Sequence, residues 1–164
     1  MRKIIIGVMG SPAPEATKTD EENAHQLGAL IAENGWVLLT GGGKNGVMQA
    51  ANQGAKSKGG LTVRILPNDD PDFCSEYVDI PIITDMRSGR NYMNVLSCNV
   101  VISCGMNGGT ASEIALAIKP NKPIILLNDM EESKVFFKKL SPSQVNVVNS
   151  PEKAIELTKK FLNK

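Results

Sequence analysis

Aromatic residues, histidine and cysteine are scarce in this chain of 164 residues. Aromatic side chains make up 4% of it, which argues against a surface on which single-stranded nucleic acid would stack. The three cysteines include no C-x-x-C pair, and with one histidine they cannot complete a closed zinc site. A disulfide framework is also disfavoured by the odd number. We therefore expect reduced thiols, no bound metal and a cytoplasmic location.

Neither sign of charge dominates, because the chain has 18 Lys and Arg residues and 17 Asp and Glu residues, for a formal net charge of +1. A general attraction to nucleic acid or to anionic lipid therefore has no support in the composition. No apolar run approaches the roughly 18 residues that a membrane-spanning helix needs, and the first one ends too soon for a signal peptide. We expect neither nucleic acid nor membrane as a partner, so any anion must be bound by a local site.

The length and the 41% hydrophobic fraction suit a single packed domain over residues 1–164. Short β-branched runs alternate with longer amphipathic patterns, and the predicted strands are 4–9, 36–40, 61–66, 77–84, 100–104, 123–127 and 145–148. This alternation is typical of the α/β class, with a mainly parallel, doubly wound sheet and helices on both faces. Right-handed crossovers then place the turns that follow the strands at one edge, where we expect the ligand site.

Three of these turns carry glycine, at Gly10, at 41–43 and at 105–109, and the last two open directly into predicted helices. Unpaired N–H groups at helix starts, together with the helix dipole, favour a phosphate. One such turn is an ordinary tight connection, but three at one edge indicate an anion site. A Walker lysine and a G-x-G-x-x-G motif with its acidic partner are both missing, so a standard nucleoside triphosphatase or an NAD enzyme is not supported. The candidate residues in these turns are Gly10, Ser11, Gly41, Gly42, Gly43, Gly105, Met106, Asn107, Gly108, Gly109 and Thr110.

Glu113 follows Thr110 by three residues, at the start of a helix predicted over 110–118. This spacing matches a capping box, in which each side chain bonds a backbone N–H of the first turn. The functional alternative is an ionised carboxylate that holds sugar hydroxyls or stabilises an oxocarbenium-like charge. Both roles stay open at this point.

Arg90 begins the preceding predicted helix, 90–98, for which we expect Met93 and Leu96 or Ser97 to face inward. A cation is disfavoured at a helix start by the dipole, which suggests that Arg90 has a partner such as a phosphate or Glu113. The alternative is a solvated arginine on the surface.

Two segments resemble motifs of the "lonely guy" family, a lysine-decarboxylase-like group. Residues 40–48, TGGGKNGVM, resemble its first glycine motif, and residues 105–113 fall where the family carries P-G-G-x-G-T-x-x-E. Gly109, Thr110 and Glu113 match that motif, and Arg90 stands 23 residues before Glu113, about where the family places its functional arginine. The resemblance covers nearly the whole chain. It implies a Rossmann-like fold, a homo-oligomer and a pocket for a nucleoside 5′-monophosphate.

Gly105, Met106 and Asn107 replace the family's Pro-Gly-Gly, and Asn91 stands where the enzymes usually have lysine. With its short length, the chain is more similar to a compact branch, the molybdenum cofactor carrier proteins. That resemblance implies storage and transfer of the phosphorylated molybdenum cofactor, with no catalytic residue. It also implies a homodimer or homotetramer, with molybdoenzymes or cofactor-synthesis proteins as partners.

In this interpretation the monophosphate lies on the backbone donors of Gly108, Gly109 and Thr110, with Arg90 supplying charge. The other candidate residues, including Asn91 and Glu113, line the rest of the site. The first alternative is a phosphoribohydrolase with no cofactor, in which Arg90 and Glu113 cleave the N-glycosidic bond of AMP-like nucleotides. The second is a nucleotide-sensing or general anion-binding module without catalysis.

Overall fold

The computed structural model describes residues 2–41, 43–127 and 130–163, which form an all-parallel sheet of seven strands in the order β4-β3-β2-β1-β5-β6-β7. The strands are β1 (Ile5–Gly10), β2 (Val37–Gly41), β3 (Thr62–Leu66), β4 (Ile80–Ile83), β5 (Val100–Cys104), β6 (Ile124–Leu127) and β7 (Val145–Val148). The α-helices are α1 (Lys18–Glu33), α2 (Gly46–Ser57), α3 (Arg90–Ser97), α4 (Gly108–Ile118), α5 (Glu131–Leu140) and α6 (Pro151–Leu162). The predicted fold class, a doubly wound α/β sheet, is confirmed.

Strand order reverses between β1 and β5, which pair in parallel from Ile6 with Val100 to Gly10 with Cys104. The chain builds β2, β3 and β4 outward on one side of β1, then crosses to β5 and builds β6 and β7 on the other. Such a switch point leaves a crevice at the carboxyl ends of the two central strands. The loops that follow β1 and β5 flank this crevice, so the topology places two of the three glycine turns beside each other.

The core lies on both faces of the sheet. On one face Ile6 and Val8 of β1 pack with buried residues of α1, α2 and α6, and on the other Met9 packs with residues of α3 and α4. All five residues of β5 are buried, as expected for a central parallel strand covered on both sides. Among the described residues, no helix combines the length and the apolar character needed to cross a membrane.

The run predicted over 77–84 is a strand only from Ile80 to Ile83, and all four of its residues are exposed. Pro81 pairs with Arg64 at this edge of the sheet, where a residue without an N–H is tolerated. The preceding segment is held differently, because Asp79 Oδ2 accepts hydrogen bonds from the N–H and the hydroxyl of Thr62. This side-chain bond replaces ladder pairing and shortens the strand.

The face that helix α3 turns inward agrees only in part with the one expected. Its buried residues are Asn94 and Val95, whereas Leu96 is 43% exposed. Asn94 Nδ2 donates to Glu113 Oε1 of α4 at 2.8 Å, so a polar contact between helices sets the rotation of α3. An apolar pattern cannot indicate that contact, which is why the inward position expected of Leu96 or Ser97 is wrong, since both are exposed. Met93 packs against the core as expected.

Helices α1 and α2 touch backbone to backbone. A Cβ atom built on Gly28 of α1 would lie 1.9 Å from the carbonyl oxygen of Ala51, and one on Gly54 of α2 would lie 1.9 Å from that of His25. Backbone cannot retreat from such an overlap without separating the helices. Glycine at these two positions therefore permits the close approach of α1 and α2 on one face of the sheet.

Gly28→Ala tests this contact. Alanine is the better helix former by about 1 kcal/mol, yet we expect a net loss in the free energy of unfolding of about 1–3 kcal/mol from overpacking. Gly108→Ala is the control, because a Cβ there meets nothing within 4 Å. Urea unfolding measures both variants, and an unchanged or increased stability of Gly28→Ala would contradict the packing account.

Candidate functional site

A cavity of about 620 Å³ opens at the carboxyl edge of the sheet, between the loops that follow β1 to β5. Its volume lies within the range of about 300–1,000 Å³ that is usual for small-molecule sites. The predicted residues that line it are Gly10, Gly41, Gly43, Arg90, Asn91, Asn107, Gly109, Thr110 and Glu113. The fold thus brings the glycine turns, the arginine and the glutamate to one cavity.

The other predicted residues lie elsewhere. Ser11, Gly105 and Met106 line a second cavity of about 340 Å³ on the other side of the loops that follow β1 and β5. Gly108, the first residue of α4, is exposed and lies outside the linings of both cavities. Gly42 falls outside the described residues.

The sequence interpretation missed one side of the main cavity, which the loops after β3 and β4 supply. These loops are tied together by the Arg87 N–H, which donates to the Pro67 carbonyl at 2.7 Å, and Arg87 adopts a positive φ of 48°. A turn-rich segment after each strand was the available signal for this wall. The residues of this wall are Pro67, Asn68, Arg87 and Ser88. Two further lining residues that the sequence interpretation missed are Pro12, after β1, and Met48 of α2.

The start of α4 is built to receive an anion. The helix is capped by Asn107, whose Oδ1 accepts the N–H of Thr110 at 2.9 Å, so the expectation that this N–H binds the phosphate is wrong. The N–H groups of Gly108 and Gly109 come first in the helix and have no intrahelical acceptor. The Thr110 hydroxyl is buried, at 1% exposure of the residue, and lacks a hydrogen-bond partner in the described chain. The dipole of α4 adds to these donors.

Asn107, not Thr110, caps α4, so the capping-box interpretation of Thr110 and Glu113 is wrong. The Glu113 carboxylate instead accepts the 2.8 Å hydrogen bond from Asn94 and lines the cavity while only 7% exposed. Burial raises the pKa of Glu113 to about 6, against the opposing effects of the Asn94 hydrogen bond and the charge of Arg90. A carboxyl with this pKa exchanges its proton close to neutral pH.

Arg90 lines the same cavity and is not a solvated surface residue. Its Nε and Nη1 atoms are buried and have no hydrogen-bond partner among the described residues. Gly41 makes room for it, because a Cβ atom there would lie 2.3 Å from Arg90 Nη1. Burial lowers the pKa of Arg90 and the charge of Glu113 opposes that shift, and an arginine so placed remains a cation.

The cavity therefore combines cations with unsatisfied donors. Arg87 and Arg90 contribute positive charge, and Glu113 contributes a carboxylate whose pKa lies near 6. A buried polar atom without a partner costs about 1–3 kcal/mol, and a ligand that bonds to it recovers that cost. An anion with several acceptor oxygens, such as a phosphate monoester, meets these requirements.

Glu113→Gln tests the burial of this carboxyl. Because the pKa in the folded protein lies above the ordinary value of 4.5, Glu113 lowers the free energy of unfolding as pH rises through about 4.5 to 6. Glutamine does not titrate. We expect the stability of the variant relative to wild type to increase by about 2 kcal/mol between pH 4 and pH 7.5 in urea unfolding. Glu156→Gln on the exposed face of α6 is the control, and a relative stability that does not change with pH would contradict the assignment.

Comparison with known proteins places this arrangement in a family. The family model described as the SLOG cluster4 family matches residues 3–155. The structure of the molybdenum cofactor binding protein from the phototrophic bacterium Rippkaea orientalis is similar at 54% identity, with 99% of each chain covered and a TM-score of 0.96. The molybdenum cofactor carrier protein from Chlamydomonas reinhardtii is similar at 44% identity, with 99% of this chain and 100% of that one covered and a TM-score of 0.93.

A third relative is an enzyme by its name. The cytokinin riboside 5′-monophosphate phosphoribohydrolase of Mycobacterium marinum is 44% identical over 95 residues, which are 57% of this chain and 51% of that protein. Its match is partial, whereas the family model and the two solved structures match almost from end to end. On these matches, the chain belongs to the SLOG cluster4 family.

Proposed function

We propose that this protein binds, stores and transfers the molybdenum cofactor, a phosphorylated pterin that holds the metal through its own sulfur atoms. The observation that carries the proposal is the near-complete match to two proteins described as binding or carrying that cofactor, at 54% and 44% identity. The cofactor is here the cargo. The protein supplies a site that holds it and releases it.

The geometry supports a phosphate at the start of α4. The N–H groups of Gly108 and Gly109 and the unpaired hydroxyl of Thr110 would donate to its oxygens. The unpaired Nε and Nη1 atoms of Arg90 would bring a positive charge to the same anion. The metal-bearing end would then lie in the remaining volume, beside Arg87 and the unpaired Oδ1 of Asn68.

The position after Arg90 also supports a carrier. Asn91 Nδ2 donates to the hydroxyl of Ser112 at 2.9 Å, so this side chain braces α3 against α4. In the resembling enzymes a lysine usually stands here and would add a second cation beside the arginine. With asparagine the phosphate end keeps hydrogen-bond donors but gains no extra charge, which suits reversible binding.

Gly109→Asp tests the phosphate position. A carboxylate there would face the phosphate, and we expect cofactor retention through anaerobic gel filtration to fall at least about tenfold by charge repulsion and loss of space. Ala115→Asp adds the same charge to the same helix on an exposed residue that lies outside the cavity lining, so we expect it to retain the cofactor. Equal retention by the two variants would count against the site.

A second candidate function is hydrolysis of a nucleoside 5′-monophosphate. It is favoured by the buried carboxyl of Glu113 beside Arg90, and by the partial match to the Mycobacterium marinum enzyme. In that reaction water adds to the anomeric carbon, the bond to the base breaks and ribose 5-phosphate is formed. Glu113 would stabilise the developing sugar cation, and Arg90 would bind the phosphate.

Incubation with a panel of nucleoside monophosphates separates the two functions. The carrier proposal predicts no free base by chromatography, from wild type or from Glu113→Ala. Release of base by wild type that is lost in Glu113→Ala, with the variant folded by circular dichroism, would replace the carrier by the enzyme.

We also propose a homodimer or homotetramer in the cytoplasm, with molybdoenzymes or cofactor-synthesis proteins as partners in transfer. Exposed apolar side chains lie at β4, on α3 and on α5, and contiguous apolar surface of this kind is where proteins commonly associate. A second copy of the chain would cover part of this surface. The side chains concerned are Ile80, Ile82, Ile83, Tyr92, Leu96, Val135, Phe136 and Leu140.

A further inference from the structure

The second cavity, of about 340 Å³, lies across the switch point from the cavity already described. Both share the loops after β1 and β5, so a ligand held at the start of α4 has space on either side of it. The smaller cavity is lined by residues of the loop after β1, by Asp20 of α1, by Gly105 and Met106 of the loop after β5, and by Met130 before α5. The second cavity is therefore adjacent to the proposed phosphate position, and one side chain separates the two.

That side chain is Asn107, which lies between the two cavities. Its Oδ1 caps α4 on the side of the main cavity. Its Nδ2 donates to Glu15 Oε2 at 3.0 Å, and Glu15 lines the second cavity. One carboxamide thus connects the phosphate-binding helix to an exposed carboxylate. A ligand that displaced this single exposed hydrogen bond would extend from one cavity into the other.

The two cavities differ in charge. The main cavity has Arg87 and Arg90 in its lining, whereas the charged residues that line the second, in the part of the chain described, are the carboxylates Glu15 and Asp20. Asp20 already accepts the N–H and the hydroxyl of Thr17 through Oδ2, as the third residue of the capping box in which Thr17 is the N-cap of α1. Glu15 is exposed, and its carboxylate has capacity for further donors besides Asn107.

We infer that the second cavity binds the 2-amino-4-oxopyrimidine edge of the ligand, with Glu15 accepting its ring N–H and amino group. The inference rests on the proposed function, since a pterin carries this edge at the end opposite to its phosphate. A carboxylate accepts such a pair of parallel N–H groups in a bidentate manner. Met106 and Met130 offer flexible apolar side chains to the flat faces of the ring.

The arrangement assigns opposite ends of one ligand to opposite charges. The phosphate lies with the arginine and the helix start, and the donor edge lies with the glutamate. The same edge occurs in guanine, so the chemistry alone admits a pterin monophosphate or a guanine nucleotide. The test therefore includes both scaffolds.

Calorimetric titration compares 6-hydroxymethylpterin phosphate with the matching lumazine phosphate, in which an oxo group replaces the amino group. We expect wild type to bind the pterin about tenfold more tightly, because an unmatched carboxylate loses a charged hydrogen bond. Glu15→Gln should bring the ratio of the two affinities close to one. Glu22→Gln, an exposed carboxylate on α1 paired with Lys18, is the control and should keep the wild-type ratio.

GMP and IMP, which differ by the same amino group, form the second arm. If wild type prefers GMP over IMP and Glu15→Gln loses that preference, guanine also enters the second cavity. If wild type binds GMP and IMP equally but still prefers the pterin over the lumazine, the cavity is specific for the pterin. An affinity ratio near one for the pterin pair in wild type, or a ratio unaffected by Glu15→Gln, overturns the inference. If inorganic phosphate then still displaces both pteridines, the phosphate position stands. If neither pteridine nor the molybdenum cofactor binds, both the inference and the proposed function are wrong.

Discussion

Buried polar atoms without partners in the described part of the protein are the feature on which the account of this site depends. The Thr110 hydroxyl, two nitrogens of Arg90, and the side-chain oxygens of Asn68 and Asn94 all lie in or beneath one cavity. A fold tolerates such atoms when something else satisfies them, because each costs about 1–3 kcal/mol if left alone. Their concentration at the carboxyl edge of the sheet is the physical reason to assign a polar, anionic ligand here.

The rest of the fold serves to hold these atoms in place. Parallel pairing of β1 with β5 brings two loops together at the switch point, and the close contact of α1 with α2 through Gly28 and Gly54 seals one side. On the other side, Asn94 bonds Glu113 and so fixes α3 against α4, while Gly41 leaves space for Arg90.

Much of this arrangement could be predicted from the sequence, because strand periodicity and crossover handedness determine where the turns after the strands lie. Gly41, Arg90, Thr110 and Glu113 were placed at one site on that basis, and the structure brings them together. Contacts between side chains of different helices could not be predicted in this way. The bond from Asn94 to Glu113 rotates α3, and it gives Glu113 a partner other than the helix start.

The wall formed by Asn68 and Arg87 was missed for a similar reason, since its position depends on a backbone bond between two loops that are distant in sequence. The second cavity shows the same limit. Ser11, Gly105 and Met106 were selected for a glycine turn that binds phosphate, yet they line a space whose charged residues are acidic. Motif position indicates the edge of the sheet, whereas the three-dimensional neighbours decide which part of a ligand each residue meets.

The most direct test of the account is an amide nitrogen–proton NMR spectrum recorded anaerobically as the molybdenum cofactor is added. The account predicts downfield proton shifts that saturate together for Gly108 and Gly109, since their N–H groups donate to the phosphate, while Ala115 on the exposed side of α4 stays in place. Saturable shifts confined to other parts of the chain, with the Gly108 and Gly109 amides unmoved, would contradict it.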